Sequence, residues 1–485
     1  MSELLKKARE YEQKKKDTIP RSQRPVFHFS APCGWNNDPN GFSMFGKECH
    51  LFFQYYPYQT VWGPMHWGHA KTKDFLHWEM LPAALAPDES YDNFGVFSGG
   101  AVEADGKQYL MYTGVVETVL PDGTKQVRQN QCLAVGDGIN YEKADCNPVI
   151  TADMLPKGSS LEDFRDPKLW EENGTYYVAV GSRHEDGSGQ VALFESENLY
   201  DWKYVTILDR SANRYGKMWE CPDFFPLNDK RVLVVSPQDM LAEGYEFHNG
   251  NGTIFIQGDY DEKEHRFTRT DVQTVDYGLD FYAPQTMEAE DGRRILIGWM
   301  QSWDNHMLPG FEWSGMMTVP RELRLENGRI CQMPVQEVKD CRRNPVSYSG
   351  VSVDGEKTLS GISGRVVDLE LEVSGNDYQT FEIQVAANEH FHSSIKFDRE
   401  EETLTFDRTF SGFCRDVIAQ RTMKVREIEG KLRLRILLDR YSCEIFVNDG
   451  EQAMTSLIYT PQSCEGIRLF SKGLAEVNIE KYDII

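Results

Sequence analysis

The runs HLFFQYY (50–56), QYLMYTG (108–114), TYYVAVG (175–181), RVLVVS (231–236), TIFIQG (253–258) and RILIGW (294–299) decide the fold of this chain. Each is short, rich in β-branched and aromatic residues, and closed by a glycine or a polar turn, which is how a buried strand reads. Several tens of residues separate them, room for two or three companion strands before the next. Such a period predicts a repeated four-stranded sheet, the logic of a β-propeller. A second repeat supports it: KDFLHW (73–78) resembles NLYDW (198–202), a turn residue and a leucine leading into a tryptophan. One large sandwich, the alternative, needs no motif recurring at this distance.

Beyond the segment VPRELRLENGRICQMPVQEVKDC (319–341) the pattern changes. VVDLELEV (366–373), FEIQVAA (381–387), LRLRILL (432–438) and CEIFVND (443–449) alternate apolar and polar residues with no helical period, as an antiparallel sandwich does. Ahead of the first strand, residues 2–17 are charged and helix-prone, with Leu4, Leu5, Ala8 and Tyr11 spaced as a narrow apolar stripe. Lysines and arginine alternate there with Glu3, Glu10, Glu12 and Asp17, so a solvated helix face fits better than a targeting signal. The expected organisation is all-β apart from this helix: a helical extension over 1–24, a propeller over 25–335, and a linker with a C-terminal sandwich over 336–485.

Bulk properties narrow the function. A chain of 485 residues is too long for one core. A formal net charge of -24 repels a phosphate backbone, so nucleic acid is not an expected partner. No apolar run approaches the roughly 18 residues of a membrane span, and MSELLKKAREYEQKKKDTIP lacks the apolar core of a secretory signal, so the expected location is cytoplasmic. The ten cysteines form no CxxC pair and are expected to be reduced thiols.

Three clusters, far apart in sequence, set a carboxylate beside rigid neighbours: WNNDPNG (35–41), FRDP (164–167) and WECP (219–222). Proline fixes φ and removes a donor, which predicts an acid held at a strand end in a set direction. A lone AsnAspPro or ArgAspPro is commonly a turn with a local Asx bond; three such clusters in a propeller point to chemistry. Asp38 fits a nucleophile, since the amides of Asn36, Asn37 and Asn40 would favour its ionised form. Glu220, between Trp219 and Cys221, fits a general acid whose weakly solvating neighbours hold its proton. In a retaining glycosidase two such groups stand roughly 5–5.5 Å apart. Asp166, kept charged by adjacent Arg165, would hold sugar hydroxyls more tightly as positive charge develops on the ring.

These motifs resemble the signatures of glycoside hydrolase family 32, the β-fructofuranosidases, and the likeness extends over nearly the whole chain. It includes QYYPY (54–58), TVWGPMHWGH (60–69), LAPD (85–88), FSG (97–99), DFYAPQ (280–285), WMQ (299–301), PREL (320–323) and DRYSCEIFVNDG (439–450). The resemblance implies a five-bladed propeller followed by a β-sandwich. It also implies a retaining hydrolase acting on the fructosyl bond of sucrose, sucrose 6-phosphate or short fructo-oligosaccharides, a small sugar being the expected partner and no cofactor being needed. Asp38 would be the nucleophile, Glu220 the acid/base and Asp166 the transition-state stabiliser, with Arg165 holding the site together. Trp35, Asn36, Asn37, Gln54, Trp62, Phe97, Ser98, Tyr282 and Trp299 would line the sugar site. Asn36 stands where many relatives carry methionine, and Gly100 where serine is common. His66 and His69 are expected to be structural rather than metal ligands. A fructosyltransferase on the same site and a non-catalytic sugar-binding propeller are the alternatives.

Overall fold

The computed structural model describes residues 1–301, 303, 311–412 and 418–485. Its strands form a five-bladed propeller and a C-terminal β-sheet domain. Blade I is built from Gly34–Phe45, Glu48–Tyr56, His66–Thr72 and Glu79–Leu85. Blade II uses Gly95–Ala104, Lys107–Val119, Lys125–Gly136 and Tyr141–Lys143. Blade III uses Ser159–Glu172, Thr175–His184, Gly189–Ser196 and Lys203–Arg210. Blade IV uses Trp219–Leu227, Lys230–Pro237, Ile254–Asp261 and Arg266–Thr274. Blade V uses Tyr282–Glu288, Arg294–Met300, Arg321–Glu326 and Arg329–Pro334. Five of the six apolar runs are second strands, one per blade; TIFIQG is instead the third strand of blade IV.

The tryptophan repeat is the turn between the third and fourth strands. Asp74 Oδ1 accepts from the backbone N–H groups of Leu76 and His77 at 3.1 and 2.8 Å. Asn198 Oδ1 accepts from Tyr200 and Asp201 at 2.9 and 2.8 Å. Phe75 and Leu199, at matching places, both sit at positive φ, 63° and 69°. Asp137 and Asp261 make the same Asx turn in blades II and IV, without the tryptophan.

The first strand of each blade lies against that of the next, and the fifth against the first, so the five inner strands ring a central axis. Trp313–Ser314 closes the ring by pairing in parallel with Gly34 and Trp35. The N-terminal helix, Glu3–Lys15, docks on the outer strand of blade I. Its buried stripe is Leu5, Ala8 and Glu12, a three-to-four-residue spacing. Leu4, expected in that stripe, is 45% exposed, because one position earlier lies about 100° around the helix.

In the C-terminal domain the strands form one continuous hydrogen-bonded sheet, and the final strand, Gly466–Ile484, joins its two halves. The first half of that strand pairs with Thr380–Ala387 and the second with Val367–Ser374, while Arg342–Lys357 follows its other edge. Alternating residues such as Leu369, Leu371, Ile383, Val385, Leu434 and Ile436 fill the core. His28, Asp439, Glu444 and Arg321 join the propeller to this domain, all with fully buried side chains. Nine cysteines are free thiols; Cys414 lies outside the described residues.

Candidate active site

One irregularity recurs at the same height in every inner strand. The register against the second strand slips between Asn36 and Pro39, Phe97 and Gly99, Arg165 and Lys168, Glu220 and Asp223, and Tyr282 and Gln285. In four blades two residues then oppose one, a β-bulge, which re-aims side chains out of the pleat. Asp166, Cys221 and Ala283 occupy these bulges at positive φ (65°, 47° and 51°), and each is followed by proline. A proline at a bulge forfeits no ladder hydrogen bond, so the sequence can place rigid backbone there without cost to the sheet. Asp38 and Asp166 therefore lie within long strands at bulges, while Glu220, the second residue of its strand, stands at a strand end as the prolines suggested, directly before the bulge.

The bulges bring the predicted residues together. Asp38 Oδ2 accepts from Ser98 Oγ at 2.7 Å, and its Oδ1 from Asn37 Nδ2 at 3.0 Å. Cys221 spans two acids: its backbone N–H donates to Asp166 Oδ2 at 3.0 Å, and its Sγ lies 3.6 Å from that oxygen and 3.8 Å from Asp38 Oδ2. Glu220 Oε1 accepts from Arg165 Nε at 2.9 Å and Oε2 from the Tyr282 hydroxyl at 2.6 Å. Asp38 and Glu220 stay partly open to solvent, while Asp166 is 6% exposed.

The electrostatics differ from the sequence expectation in three ways. Only Asn37 of the three asparagines reaches Asp38. Burial outweighs the Ser98 and Asn37 hydrogen bonds and, with the charge of Glu220, raises the Asp38 carboxyl above its ordinary value. Arg165 does not hold Asp166; its guanidinium turns to Glu220, Asp163 and Gln129. Burial and the nearby Glu220 push Asp166 up to about 7, against the pull of Arg165. Nor do Trp219 and Cys221 surround the Glu220 carboxyl. The Trp219 indole lies in the core between blades III and IV and donates to Tyr215 O at 2.6 Å, because neighbours along a strand face opposite ways.

The remaining predicted residues fall into two groups. Trp62, 39% exposed, stands edge-on to Phe97 at 5.9 Å and forms a wall near Ser98. Trp35 donates to Asn37 Oδ1 at 2.7 Å, which turns the Asn37 nitrogen toward Asp38. With its amide oriented to satisfy both ends, Asn40 donates to Ser98 Oγ at 3.3 Å and accepts from Gln54 at 3.1 Å, so Gln54 steadies the site from beneath. Asn36 and Trp299 are both fully buried. Asn36 accepts from Ala31 N at 3.3 Å, and Trp299 packs edge-on against Trp35 and Trp303. Asn36 therefore turns to Ala31 and not to Asp38, and is closed to solvent. His69 pairs with His50 at 2.9 Å and His66 with the Pro64 carbonyl at 2.9 Å, so the two share no ligand geometry.

Sequence reasoning missed Thr113, whose Oγ1 accepts from Asp166 N at 2.9 Å, and the grip of Gln129 and Asp163 on Arg165. Asp163 stands three residues before the motif aspartate Asp166, a signal that was present; Thr113 and Gln129 carried none. Trp303, stacked on Trp35 at 6.0 Å, was likewise passed over. The glycine at 100 has a geometric reason: a Cβ there would stand 2.9 Å from Leu169 N and 3.0 Å from Pro167 O, where blades II and III meet.

Chemically, among the described residues the site holds three carboxyls and the guanidinium of Arg165, beside an aromatic rim, which suits attack at one face of a sugar and proton delivery to its leaving oxygen. Comparison with known proteins agrees. Residues 28–334 match the glycosyl hydrolases family 32 N-terminal domain and residues 337–484 its C-terminal counterpart. A sucrose-6-phosphate hydrolase of Zymomonas mobilis is 39% identical over 466 residues, 92% of this chain and 89% of that protein. A raffinose invertase of Escherichia coli is 38% identical, with 92% of each covered. A Bombyx mori GH32 β-fructofuranosidase superposes with a TM-score of 0.84 at 33% identity, covering 99% of this chain and 97% of that one; a variant of it has been solved in complex with sucrose.

Proposed function

Because the chain belongs to glycoside hydrolase family 32, we propose that it works through Asp38 as nucleophile and Glu220 as general acid/base, with Asp166 holding the sugar ring. It is a β-fructofuranosidase that hydrolyses sucrose. Transfer of the fructosyl group to another sugar is not favoured.

In the reading we favour, Glu220 gives a proton to the glycosidic oxygen while Asp38 attacks the anomeric carbon and forms a fructosyl-enzyme. Glu220 then takes a proton from water, which releases fructose with retained configuration. The observation that carries this is the meeting of Asp38, Asp166 and Glu220 around Cys221, Arg165 and Tyr282. Arg165 and the Tyr282 hydroxyl both donate to Glu220, which fixes its direction toward a leaving group. Ser98 and Asn37 fix Asp38 from two sides. Asp166, with its neighbours crowded by like charge, gains most when the ring becomes cationic. Trp62 and Phe97 supply the apolar wall.

Sucrose 6-phosphate and short fructo-oligosaccharides are the proposed further substrates, and a reducing cytoplasm the proposed location, in keeping with the free thiols. Initial rates measured side by side on sucrose, sucrose 6-phosphate, short fructo-oligosaccharides and inulin rank these. For the mechanism, Asp38→Ala is expected to lower kcat by about 10⁴-fold or more with the fold intact. Near-normal turnover in that variant refutes the assignment.

A further inference from the structure

Glu220 accepts from Arg165 and from the Tyr282 hydroxyl, and the arginine is itself held by a second pair of charges. In blade III a register slip between Ser182 and His184 sets residues 160–163 of the inner strand against Arg183 alone. Ser160 Oγ accepts from the backbone N–H groups of Glu162 and Asp163 at 3.2 and 3.0 Å, a local turn that presents the Asp163 carboxylate to two guanidinium groups. Its Oδ1 lies 3.0 Å from Arg165 Nη1 and its Oδ2 2.7 Å from Arg183 Nη2. Arg165 Nε then reaches Glu220 Oε1 at 2.9 Å. Charges therefore alternate along one chain of contacts, Arg183, Asp163, Arg165 and Glu220, from a surface arginine 43% exposed into the carboxyl cluster. Among the described residues no hydrogen bond or ion pair joins Asp163 or Arg183 to Asp38, Asp166 or Glu220, so their influence on the reaction passes through Arg165.

A guanidinium beside a carboxyl favours the ionised form, whereas a group that must give a proton to a leaving oxygen has to keep one. A cation whose charge is partly balanced elsewhere meets both needs: it fixes the carboxyl in place without stripping its proton. Asp163 supplies that balance. Burial opposes the charge on Arg165, and Glu220, Asp166 and Asp163 together hold the guanidinium above its ordinary value. The other titratable groups bearing on Glu220 are the Tyr282 hydroxyl from blade V, Asp38 from blade I, Asp166 from blade III and the adjoining Cys221. Asp163 meets the Ser160 turn and the two arginines; His184, next along the Arg183 strand, turns to Asp186 at 3.1 Å.

We propose that Asp163 is a positioning residue for the acid/base step, acting through Arg165 on Glu220, and that Arg183 is its counter-charge. The inference rests on Glu220 as the acid/base. Its mark is a pair of opposite shifts, which a purely structural contact does not produce. The experiment is kcat/KM for sucrose against pH in wild type, Asp163→Asn, Arg183→Gln and Glu220→Gln. Asparagine keeps an oxygen for Arg165 and loses the charge, so Arg165 then bears on Glu220 unbalanced. The alkaline limb, where the acid must still carry its proton, is expected to move to lower pH by about half a unit or more, with the plateau within about tenfold of wild type. Arg183→Gln leaves Asp163 wholly to Arg165, and the limb is expected to move to higher pH, by less, because that charge is one contact further off and partly screened by water. A limb unmoved or raised in Asp163→Asn, or one that fails to rise in Arg183→Gln, overturns the proposal. If Asp163→Asn fails to fold, the sign of the shift in Arg183→Gln decides by itself. Glu220→Gln separates the two levels: a nearly inactive Glu220→Gln beside an unmoved Asp163→Asn limb refutes the role of Asp163 only, whereas near-normal turnover in Glu220→Gln overturns both.

Discussion

Arg165 reaches past its neighbour Asp166 to Glu220, placing Nε 2.9 Å from Oε1. The bulge at Asp166 turns the two side chains apart, so the guanidinium serves the acid of the next blade. Replacing Arg165 with Gln removes the cation that pairs with Glu220 in this cluster of three carboxyls. Turnover of sucrose is expected to fall by about 10²–10³-fold, and Arg165→Lys to restore little of it, because an ammonium cannot grip Glu220, Gln129 and Asp163 together. Steady-state kinetics on both variants checks this, and full recovery by Lys would mean that charge alone matters.

Ser98, on blade II, donates to Asp38 at 2.7 Å. A hydrogen bond to a carboxylate contributes about 1.5–3 kcal/mol, so Ser98→Ala is expected to lower kcat/KM by about 10–100-fold. Ser98→Thr keeps the hydroxyl and should recover part of the loss. Equal rates in Ser98→Ala and wild type would show that Asn37 suffices.

Asp166 is a carboxyl raised to about 7 in the fold. The sign is that of an acid buried against like charge. Below the ordinary carboxylate range both folded and unfolded chains hold the proton, and nothing is lost; as pH rises toward 7 the unfolded chain ionises more readily, and stability falls. Asp166→Asn removes that loss. The variant is expected to denature at higher temperature than wild type at pH 8, with a smaller gain at pH 4, while kcat drops by about 10²–10³-fold. The interaction is mutual, so the Asp38 carboxyl should also titrate lower. The acidic limb of the residual kcat/KM profile is then expected to move to lower pH.

The repeat of apolar runs read the propeller correctly because each blade buries its second strand on both faces, and such strands are continuous in β-branched and aromatic residues. The three acids were readable because bulges admit proline, and proline is visible: Asp38, Asp166 and Cys221 each precede one, and Ala283 does so in blade V. What stayed hidden was direction. Whether Arg165 points at Asp166 or Glu220 depends on a single positive φ, and whether Trp219 shades Glu220 depends on strand alternation at one residue. Neither leaves a mark in composition. Asn36 shows the same limit, since the residue beside a site residue on a strand faces away from it.

The motif DRYSCEIFVNDG was legible as a signature but not as a joint. His28, at the start of the propeller, is fully buried with Nδ1 2.9 Å from Asp439 Oδ2 and Nε2 2.7 Å from Glu444 Oε1. The backbone N–H groups of Val26 and Phe27 also donate to Asp439, and Arg321 ties Glu444 to Asp276. Both ring nitrogens face carboxylates, so the ring is held as imidazolium and its pKa rises to about 9; burial opposes this, and the hydrogen bonds to Asp439 and Glu444 overcome it. A histidine raised above its unfolded value of about 6.5 stabilises fully below that pH, and the stabilisation drains as pH climbs through 9. Wild type is therefore expected to lose thermal stability between pH 6.5 and 9. His28→Gln leaves buried carboxylates short of a cation, a defect of about 3–5 kcal/mol, so it should denature at lower temperature at pH 6.5 and show a much flatter decline toward pH 9. Thermal denaturation of both proteins across that range is the measurement, and an unchanged slope in His28→Gln would place the alkaline sensitivity elsewhere.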